Sequence, residues 1–266
     1  METCLSCNTA SKPIDLATGN TYITQSDVSV PGLGGGLALS RRWNSMLPAI
    51  QNTYPFMFGP NWRSTYEERL VYNSPDHYLK YARSDGSVWS FLPTGVGFPA
   101  TYVAVAPAND PTTITSGSTA WTVAYKNGEK RSFDPTSGAL LSISDRNNNT
   151  TTLNYDSSNR LASVVDAAGR HLNFTYTTNS STLVGSVTSD VGVSVTYSYD
   201  SSGRLAQVTY PDTSIVSFDY DAQSHITAVK DSDGKILESH TYDTLGRGIS
   251  GSRALGVDSV TITYPQ

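Results

Sequence analysis

The sequence predicts an all-β protein built from stacked antiparallel β-hairpin repeats, which together form a continuous spiralling strip of sheet. Three observations support this fold class. An aromatic residue recurs about every 22 residues through the second half of the chain. The segments between these aromatic residues are rich in Gly, Asn, Asp and Ser, which are the residues of tight turns. Tyrosine, which favours strands and can keep its hydroxyl group in a polar environment, occurs 16 times, against 7 Phe and 4 Trp.

The repeat is defined by the aromatic residue that closes a strand. Its positions are Phe133, Tyr155, Tyr176, Tyr199, Tyr220, Tyr242 and Tyr264. Successive positions differ by 22, 21, 23, 21, 22 and 22 residues. Such regular spacing is typical of a repeat architecture. A single two-stranded hairpin cannot bury its apolar face, whereas stacked hairpins can, so we expect the tyrosines to form a continuous column along the sheet.

An Asp follows the aromatic residue in most units, and an Arg follows that Asp four residues later. The Asp residues are Asp156, Asp200, Asp221 and Asp243, and the Arg residues are Arg160, Arg204 and Arg247. An Asp side chain accepts hydrogen bonds from backbone N–H groups two residues on, and the Gly or Asn before the Arg suits a positive φ, so the motif predicts a turn. The unit that opens at Tyr176 has lost the motif.

The outgoing strand of each unit carries two apolar residues three positions apart, such as Leu161 and Val164. In a regular strand they would point to opposite faces. The sequence therefore leaves two alternatives: either both faces of the strand are partly covered, or a β-bulge lies between the two residues.

Three regions follow along the chain. Residues 1–11 are predicted to be a tail, residues 12–130 an N-terminal β region, and residues 131–266 the hairpin repeats. Further hairpins are expected in the N-terminal β region, one of them at the Asn127-Gly128 turn. We expect one continuous architecture without a sharp domain boundary, and an open strip whose two edges are unpaired.

Charge and composition argue against several classes of protein. The net charge of −5 and a pI near 5.3 do not predict a nucleic-acid-binding surface. No apolar run predicts a transmembrane helix, and the N-terminus has no signal-peptide pattern. Cys4 and Cys7 form one Cys-x-x-Cys, for which a local disulfide or two free thiols are favoured over zinc, because a structural zinc site needs four ligands.

No motif of a catalytic site is present, so we expect neither enzymatic activity nor a cofactor or metal. There is no nucleophile elbow, no zinc-protease motif and no phosphate-binding glycine loop. The neighbouring carboxylates Glu67 and Glu68 would point to opposite faces of a strand. The tryptophans form a candidate binding surface beside Asp and Asn, although a place in the core is favoured for them. They are Trp43, Trp62, Trp89 and Trp121.

The pattern Tyr-Asp-x-x-Gly-Arg-Leu at residues 199–205 resembles the YD repeat of RHS and teneurin-like proteins. Residues 12–20 resemble the sequence that opens the N-terminal RHS region, although Lys12 departs from the usual residue, and residues 39–45 and 58–64 are similar to later parts of that region. The resemblance covers nearly the whole chain and is loosest over 93–120. It implies a β-sheet strip that spirals into a hollow shell, often around a C-terminal toxin. The Asp-Pro-x-Gly motif at which family shells are cleaved is absent.

These observations predict a non-enzymatic structural repeat protein, either a segment of an RHS-type shell or a self-assembling extracellular fibre formed through strand-edge pairing. One alternative is a carbohydrate- or cell-surface-binding adhesion module. Another is the N-terminal fragment of a bacterial shell that delivers a polymorphic toxin. The expected partners are further copies of the chain, the continuation of a longer RHS chain, or a glycan. The expected location is extracellular or on the cell surface.

Overall fold

The computed structural model describes residues 9–10, 14–73, 77–256 and 258–264. Of the predicted tail, only Thr9 and Ala10 fall within these residues, and they form a short strand. Three 3-10 helices are present in the described part of the chain, Leu33–Gly35, Ala49–Thr53 and Ala254–Gly256. None of the helices in these ranges is long and apolar enough to cross a membrane.

Almost all the remaining regular structure is β-strand, which confirms the predicted fold class. The strands are β1 (Thr9–Ala10), β2 (Ile14–Asp15), β3 (Tyr22–Val30), β4 (Leu37–Asn44), β5 (Trp62–Ser64), β6 (Arg69–Asn73), β7 (Tyr78–Ala82), β8 (Val88–Pro93), β9 (Thr101–Ala106), β10 (Thr113–Thr115), β11 (Trp121–Ala124), β12 (Lys130–Phe133), β13 (Leu140–Ser144), β14 (Thr150–Tyr155), β15 (Leu161–Val165), β16 (His171–Tyr176), β17 (Val184–Ser189), β18 (Ser194–Tyr199), β19 (Leu205–Thr209), β20 (Ile215–Tyr220), β21 (Ile226–Lys230), β22 (Ile236–Tyr242), β23 (Gly248–Arg253) and β24 (Val260–Thr261).

The strands form three antiparallel sheets. β1 pairs with β2, and β3, β4 and β5 form a three-stranded sheet. The 19 strands from β6 to β24 form one sheet in which each strand pairs with the next along the chain. This sheet crosses residue 130 without interruption, because β12 pairs with both β11 and β13.

The large sheet is closed into a barrel, whereas the sequence predicted an open strip. At its start, Arg69 of β6 forms an isolated antiparallel bridge with Ala139, and the amide of Leu70 donates to the carbonyl of Gly138 at 3.0 Å. The physical reason for the difference is that the sheet curls around part of its own chain, described below, which provides an apolar surface on which the concave face can close.

A β-bulge explains the apolar residues spaced three apart. Tyr155 pairs with Leu161 and Asn154 pairs with Ser163, so Ala162 is the extra residue. Leu161 and Val164 are consequently both buried, with 2% and 0% of their surface exposed. The same register shift recurs where β16, β18, β20 and β22 each pair with the following strand. Of the two alternatives, the bulge is therefore the one that the chain adopts.

Residues 14–68, termed the inner segment, pack against the concave face of the large sheet. Strand β4 shows why, because alternate residues Leu37, Leu39, Arg41 and Trp43 are all fully buried. The main hydrophobic core joins these residues to apolar side chains from β14 to β21. The molecule therefore consists of a curled sheet with an internal core that its own N-terminal region supplies.

Candidate functional site

Tyrosine hydroxyl groups tie each repeat to the repeat before it. Each hydroxyl donates a hydrogen bond to a backbone carbonyl 15 or 16 residues earlier, at 2.7–2.9 Å. The donor and acceptor pairs are Tyr155 and Leu140, Tyr176 and Leu161, Tyr199 and Val184, Tyr220 and Leu205, Tyr242 and Ile226, and Tyr264 and Gly248. These six tyrosines are termed the tyrosine ladder. Phe133, which has no hydroxyl, is fully buried and packs edge-on against Tyr81.

The Asp and Arg of the motif form a clamp within each turn. Asp156 Oδ1 accepts hydrogen bonds from the amides of Ser158 and Arg160, and its Oδ2 accepts one from Arg160 Nε at 2.8 Å. Burial alone would raise the pKa of Asp156, but the amide and guanidinium of Arg160 outweigh it, and the pKa is lowered. Asp200 with Arg204 and Asp243 with Arg247 repeat this arrangement.

The predicted left-handed backbone is present before each of these Arg residues. The φ values are 57° at Asn159, 73° at Gly203 and 78° at Gly246. Glycine and asparagine adopt this conformation most easily, so the turn explains why they occupy the position.

Each motif Arg also covers the tyrosine of the next unit. The guanidinium carbon lies 4.3 Å from the ring centroid of Tyr176 for Arg160, 4.8 Å from that of Tyr220 for Arg204, and 4.3 Å from that of Tyr264 for Arg247. A cation over a tyrosine face is attracted to the ring. Consecutive units are thus joined by both a hydrogen bond and a cation–π contact.

Two units that open at a ladder tyrosine depart from this pattern, and the ladder continues through both. His225, which sequence analysis did not single out, takes the place of Arg: its Nδ1 lies 3.0 Å from Asp221 Oδ2 and its ring lies 4.6 Å from that of Tyr242. After Tyr176 the Asp is missing, and Arg160 of the preceding unit instead donates to the carbonyls of Asn179 and Ser181, both at 2.9 Å.

Aromatic side chains of the inner segment pair with alternate strands of the sheet. The pairs are Tyr66 with Phe174 of β16, Phe58 with Tyr197 of β18, Trp62 with Phe218 of β20, and Trp43 with Tyr242 of β22, at centroid distances of 4.8–6.4 Å. Backbone bonds add to these contacts, because the amides of Val184 and Gly248 donate to the carbonyls of Met57 and Gly19 at 2.9 and 2.8 Å. The inner segment therefore matches the period of the repeat.

A buried ion pair lies at the centre of this interface. The Arg41 guanidinium donates twice to the Asp27 carboxylate, and both side chains are 0% exposed. Tyr197 and Tyr210 of the sheet also donate to Asp27, at 2.8 and 3.3 Å. Burial would lower the pKa of Arg41, but the neighbouring Asp27 outweighs burial and the pKa is raised. The pair is thus shared between the inner segment and the sheet.

Both members of the Arg41-Arg42 pair stack on aromatic rings. Its guanidinium carbon lies 4.7 Å from the ring centroid of Trp62, and that of Arg42 lies 3.7 Å from that of Tyr22. A charge stacked on a ring loses less on burial than one facing aliphatic side chains.

Glu67 and Glu68 lie in the turn between β5 and β6, not on a strand as expected, and they bind different partners. Glu67 Oε1 accepts hydrogen bonds from the Met57 amide at 2.9 Å and from Arg63 at 3.1 Å. Glu68 accepts hydrogen bonds from Tyr81 and Arg131 of the sheet. Both carboxylates therefore fix the end of the inner segment where it enters the large sheet.

The four tryptophans do not form one surface. Trp43 and Trp62 are fully buried between the inner segment and the sheet, so they cannot meet a ligand from solvent. Trp89 and Trp121 are half-buried, Trp89 edge-on to Tyr81 and Trp121 stacked on Tyr102. The predicted preference for a core position thus holds for Trp43 and Trp62.

The ladder, the clamps and the buried ion pair all hold strands together. Among residues 14–73, 77–256 and 258–264, no group of three or more His, Cys, Asp or Glu side chains is placed to hold a metal ion. Cys4 and Cys7 lie outside the described residues.

Known protein families match both the N-terminal region and the repeat region of this sequence. The family described as Teneurin YD-shell matches residues 117–251, and a domain of unknown function, DUF6531, matches residues 11–91. The tRNA3(Ser)-specific nuclease WapA of Bacillus spizizenii is 33% identical over 145 residues, which is 54% of this chain and 6% of that protein. The tRNA nuclease WapA of Bacillus subtilis strain 168 is 31% identical over the same share of each chain. This chain therefore spans only 6% of the length of these curated relatives.

Part of this chain's fold is similar to part of two solved structures of much longer chains. The crystal structure of TcdB2-TccC3-Cdc42 aligns with 87% of this chain and 14% of its own chain, at 14% identity and a TM-score of 0.37. The Photorhabdus luminescens Tc holotoxin pore aligns with 86% of this chain and 14% of its own, at 13% identity and a TM-score of 0.35.

The Teneurin YD-shell match contains the tyrosine ladder from Tyr155 to Tyr242 together with the Asp–Arg clamps of those units, and it covers more than half of the 266 residues. The chain therefore belongs to the Teneurin YD-shell family.

Proposed function

We propose that this chain is a non-enzymatic structural segment of a YD-repeat shell, in which the inner segment fills the concave face of the sheet. The observation that carries the proposal is the match between the four inner-segment aromatic residues and alternate strands of the sheet. The space inside the curled sheet is filled by side chains of the inner segment. The segment would therefore fill this part of a shell and leave no room there for cargo.

The hydrogen bonding supports a structural role over a catalytic one. Ladder hydroxyls donate to backbone carbonyls, and motif carboxylates are bound by amides and guanidinium groups of their own turn. Groups whose bonding capacity is used in this way keep strands in register and are poor candidates for general acids, bases or nucleophiles.

The curled sheet favours a shell segment over a fibre formed by edge pairing, because its first strand, β6, is joined to residues 138 and 139 of the same sheet and is not a free edge. The names of the curated relatives favour a wider proposal for the protein to which this segment belongs. Under this wider proposal, the segment forms part of the shell of a secreted or cell-surface toxin. Any nuclease activity of that toxin resides outside the residues described above.

Two measurements on the purified chain test the proposal. Sedimentation velocity over a wide range of concentrations should show a compact particle of 28.6 kDa. Growth into long polymers with concentration would instead support the fibre. Incubation with total tRNA should leave the tRNA intact, and cleavage that a single substitution abolishes would overturn the non-enzymatic assignment.

A further inference from the structure

The sheet of β3, β4 and β5 has a second face, which carries Thr24, Ser40 and Arg42. Thr24 pairs with Arg42 across β3 and β4, and Ser40 lies two residues before Arg42, so the three side chains share one face. Arg41 points the opposite way, toward Tyr197 of the large sheet. Thr24 is exposed, whereas Ser40 and Arg42 are half-buried. This face is therefore open to solvent beside Thr24 and more enclosed around Arg42.

A cavity of about 170 Å³ lies between this face and the turn that joins β7 to β8, and it is termed the polar cavity. Besides Thr24, Ser40 and Arg42, its lining includes Ser84 and Asp85 of the turn. One water molecule needs about 10–15 Å³ of such space. The polar cavity therefore has room for several waters or for one small ion.

Hydrogen bonds fix the turn to the inner segment, so the polar cavity is preformed. Asn44 Nδ2 donates to the Asp85 carbonyl at 3.3 Å. Gln51 Nε2 donates to the carbonyls of Arg83 and Ser87, both at 3.2 Å, and the Gln51 side chain is fully buried. A preformed site orders few groups when a ligand binds, which favours affinity.

Arg42 brings a positive charge to the polar cavity without an anionic partner of its own. Its guanidinium group stacks on Tyr22, and its Nε is buried and has no hydrogen-bond partner. Arg42 forms no ion pair with any residue that the structure describes. Burial lowers the pKa of Arg42, although Asp85 and other neighbours raise it. Because arginine stays protonated in proteins, an oxyanion beside it would compensate this partly buried charge.

Asp85 determines which oxyanion the polar cavity can hold. Its Oδ1 accepts hydrogen bonds from the amide and the hydroxyl of Ser87, at 2.9 and 2.6 Å, and its Oδ2 lies 3.6 Å from Arg83 Nη1. Burial would raise the pKa of Asp85, but Arg83 and Ser87 outweigh it and the pKa is lowered. An ionised carboxylate accepts hydrogen bonds and cannot donate them. At neutral pH inorganic phosphate carries at least one proton and sulfate carries none, so Asp85 can accept a hydrogen bond from phosphate and would repel sulfate.

We propose that the polar cavity binds one inorganic phosphate ion. The Arg42 guanidinium and the hydroxyl groups of Thr24 and Ser40 donate to the phosphate oxygens, and Asp85 accepts a hydrogen bond from the phosphate O–H group. Arginine suits this ligand because its planar fork of donors matches two oxygens of a phosphate at once. A neutral ligand would leave the charge of Arg42 uncompensated.

The test is isothermal titration calorimetry of the full chain with sodium phosphate and with sodium sulfate, at neutral pH and equal ionic strength. One phosphate should bind per chain, at least about tenfold more tightly than sulfate, because sulfate would face Asp85 without a proton to share. Arg42→Gln should lose at least about tenfold in phosphate affinity, because it loses charge-assisted hydrogen bonds. Arg146→Gln is the matched control, since it removes the same charge at an exposed residue of another turn, and it should bind like the parent chain.

Two further variants keep the test decisive. Asp85→Asn retains an oxygen that can accept from Ser87, and it should bind phosphate and sulfate with similar affinities. Thr24→Val removes one donor and keeps a β-branched side chain, so it should fold and bind phosphate more weakly than the parent chain. If circular dichroism shows that Arg42→Gln does not fold, Thr24→Val decides, and phosphate affinity equal to that of the parent would overturn the proposal.

Three results on the parent chain and its control would also overturn the proposal. The first is absence of saturable phosphate binding, which would assign the polar cavity to water alone. The second is equal loss of affinity in Arg42→Gln and Arg146→Gln, which would indicate general attraction by charge. The third is sulfate binding as tight as phosphate binding, which would contradict the part assigned to Asp85.

Discussion

Replacing Asp27 with Asn should strongly destabilise the chain, because it leaves the buried Arg41 without its counter-ion. The Asp27 carboxylate accepts two hydrogen bonds from Arg41 and one each from Tyr197 and Tyr210. The substitution keeps the shape of the side chain and removes its charge. The main effect is therefore that the buried positive charge of Arg41 no longer faces a negative charge.

The expected cost is large because both charged side chains are 0% exposed and solvent cannot screen them. Removal of one partner from a buried ion pair costs about 3–5 kcal/mol. A protein of this kind has a free energy of unfolding of about 5–15 kcal/mol, so the loss is a large share of the total. In D27N/R41M, where neither charge remains, we expect a smaller loss than in D27N.

The assay is urea denaturation followed by circular dichroism and by tryptophan fluorescence, to which Trp62 beside Arg41 contributes. Asp219→Asn is the control, because Asp219 pairs with Lys230 at side-chain exposures of 49% and 29% and should cost less than about 1 kcal/mol. If D27N proved as stable as D219N, or if D27N/R41M were the less stable of the two Asp27 variants, the reasoning would be refuted.

Three further predictions concern the ladder and the packing. Tyr220→Phe should lower the free energy of unfolding by about 1–3 kcal/mol, measured in urea, because the Leu205 carbonyl loses its donor. Gly59→Ala should be much more destabilising than Gly192→Ala in thermal unfolding, because φ is +87° at Gly59 and +86° at Gly192, but only at Gly59 does the added Cβ lie 2.8 Å from a carbonyl oxygen, that of Gly203. Burial raises the pKa of Tyr66 to about 12, so its contribution to stability is complete below about pH 10 and is lost as pH rises through about 12. Circular dichroism should therefore change as pH rises through about 12, and a spectrum that stays unchanged there would contradict the argument.

The local part of the fold could be predicted because its causes are local in sequence. The Asp, the positive-φ residue and the Arg of a unit lie within five residues, and the same turn forms wherever they recur. His225 could have been found in the same way, since it stands five residues after Tyr220 as Arg204 does after Tyr199. The bulge was one of two alternatives, and only the pairing register decided between them.

The interior could not be predicted because its contacts join distant parts of the chain. Trp62 meets Phe218, and Arg41 shares Asp27 with Tyr197, across separations that leave no local pattern. An Arg on the apolar face of β4 shows its role only when a carboxylate and several rings are placed around it. The repeat alone predicted an open strip. The contacts between the inner segment and the sheet explain why the sheet closes instead.

The claim that the inner segment fills the concave face can be tested most directly by residue-resolved hydrogen exchange of the full chain. The amides of Val184 and Gly248, which donate to Met57 and Gly19, should exchange as slowly as those in the middle of β18 and β20, and so should the amides of β4. Rapid exchange throughout the inner segment and at these two amides, with the large sheet still protected, would contradict the account.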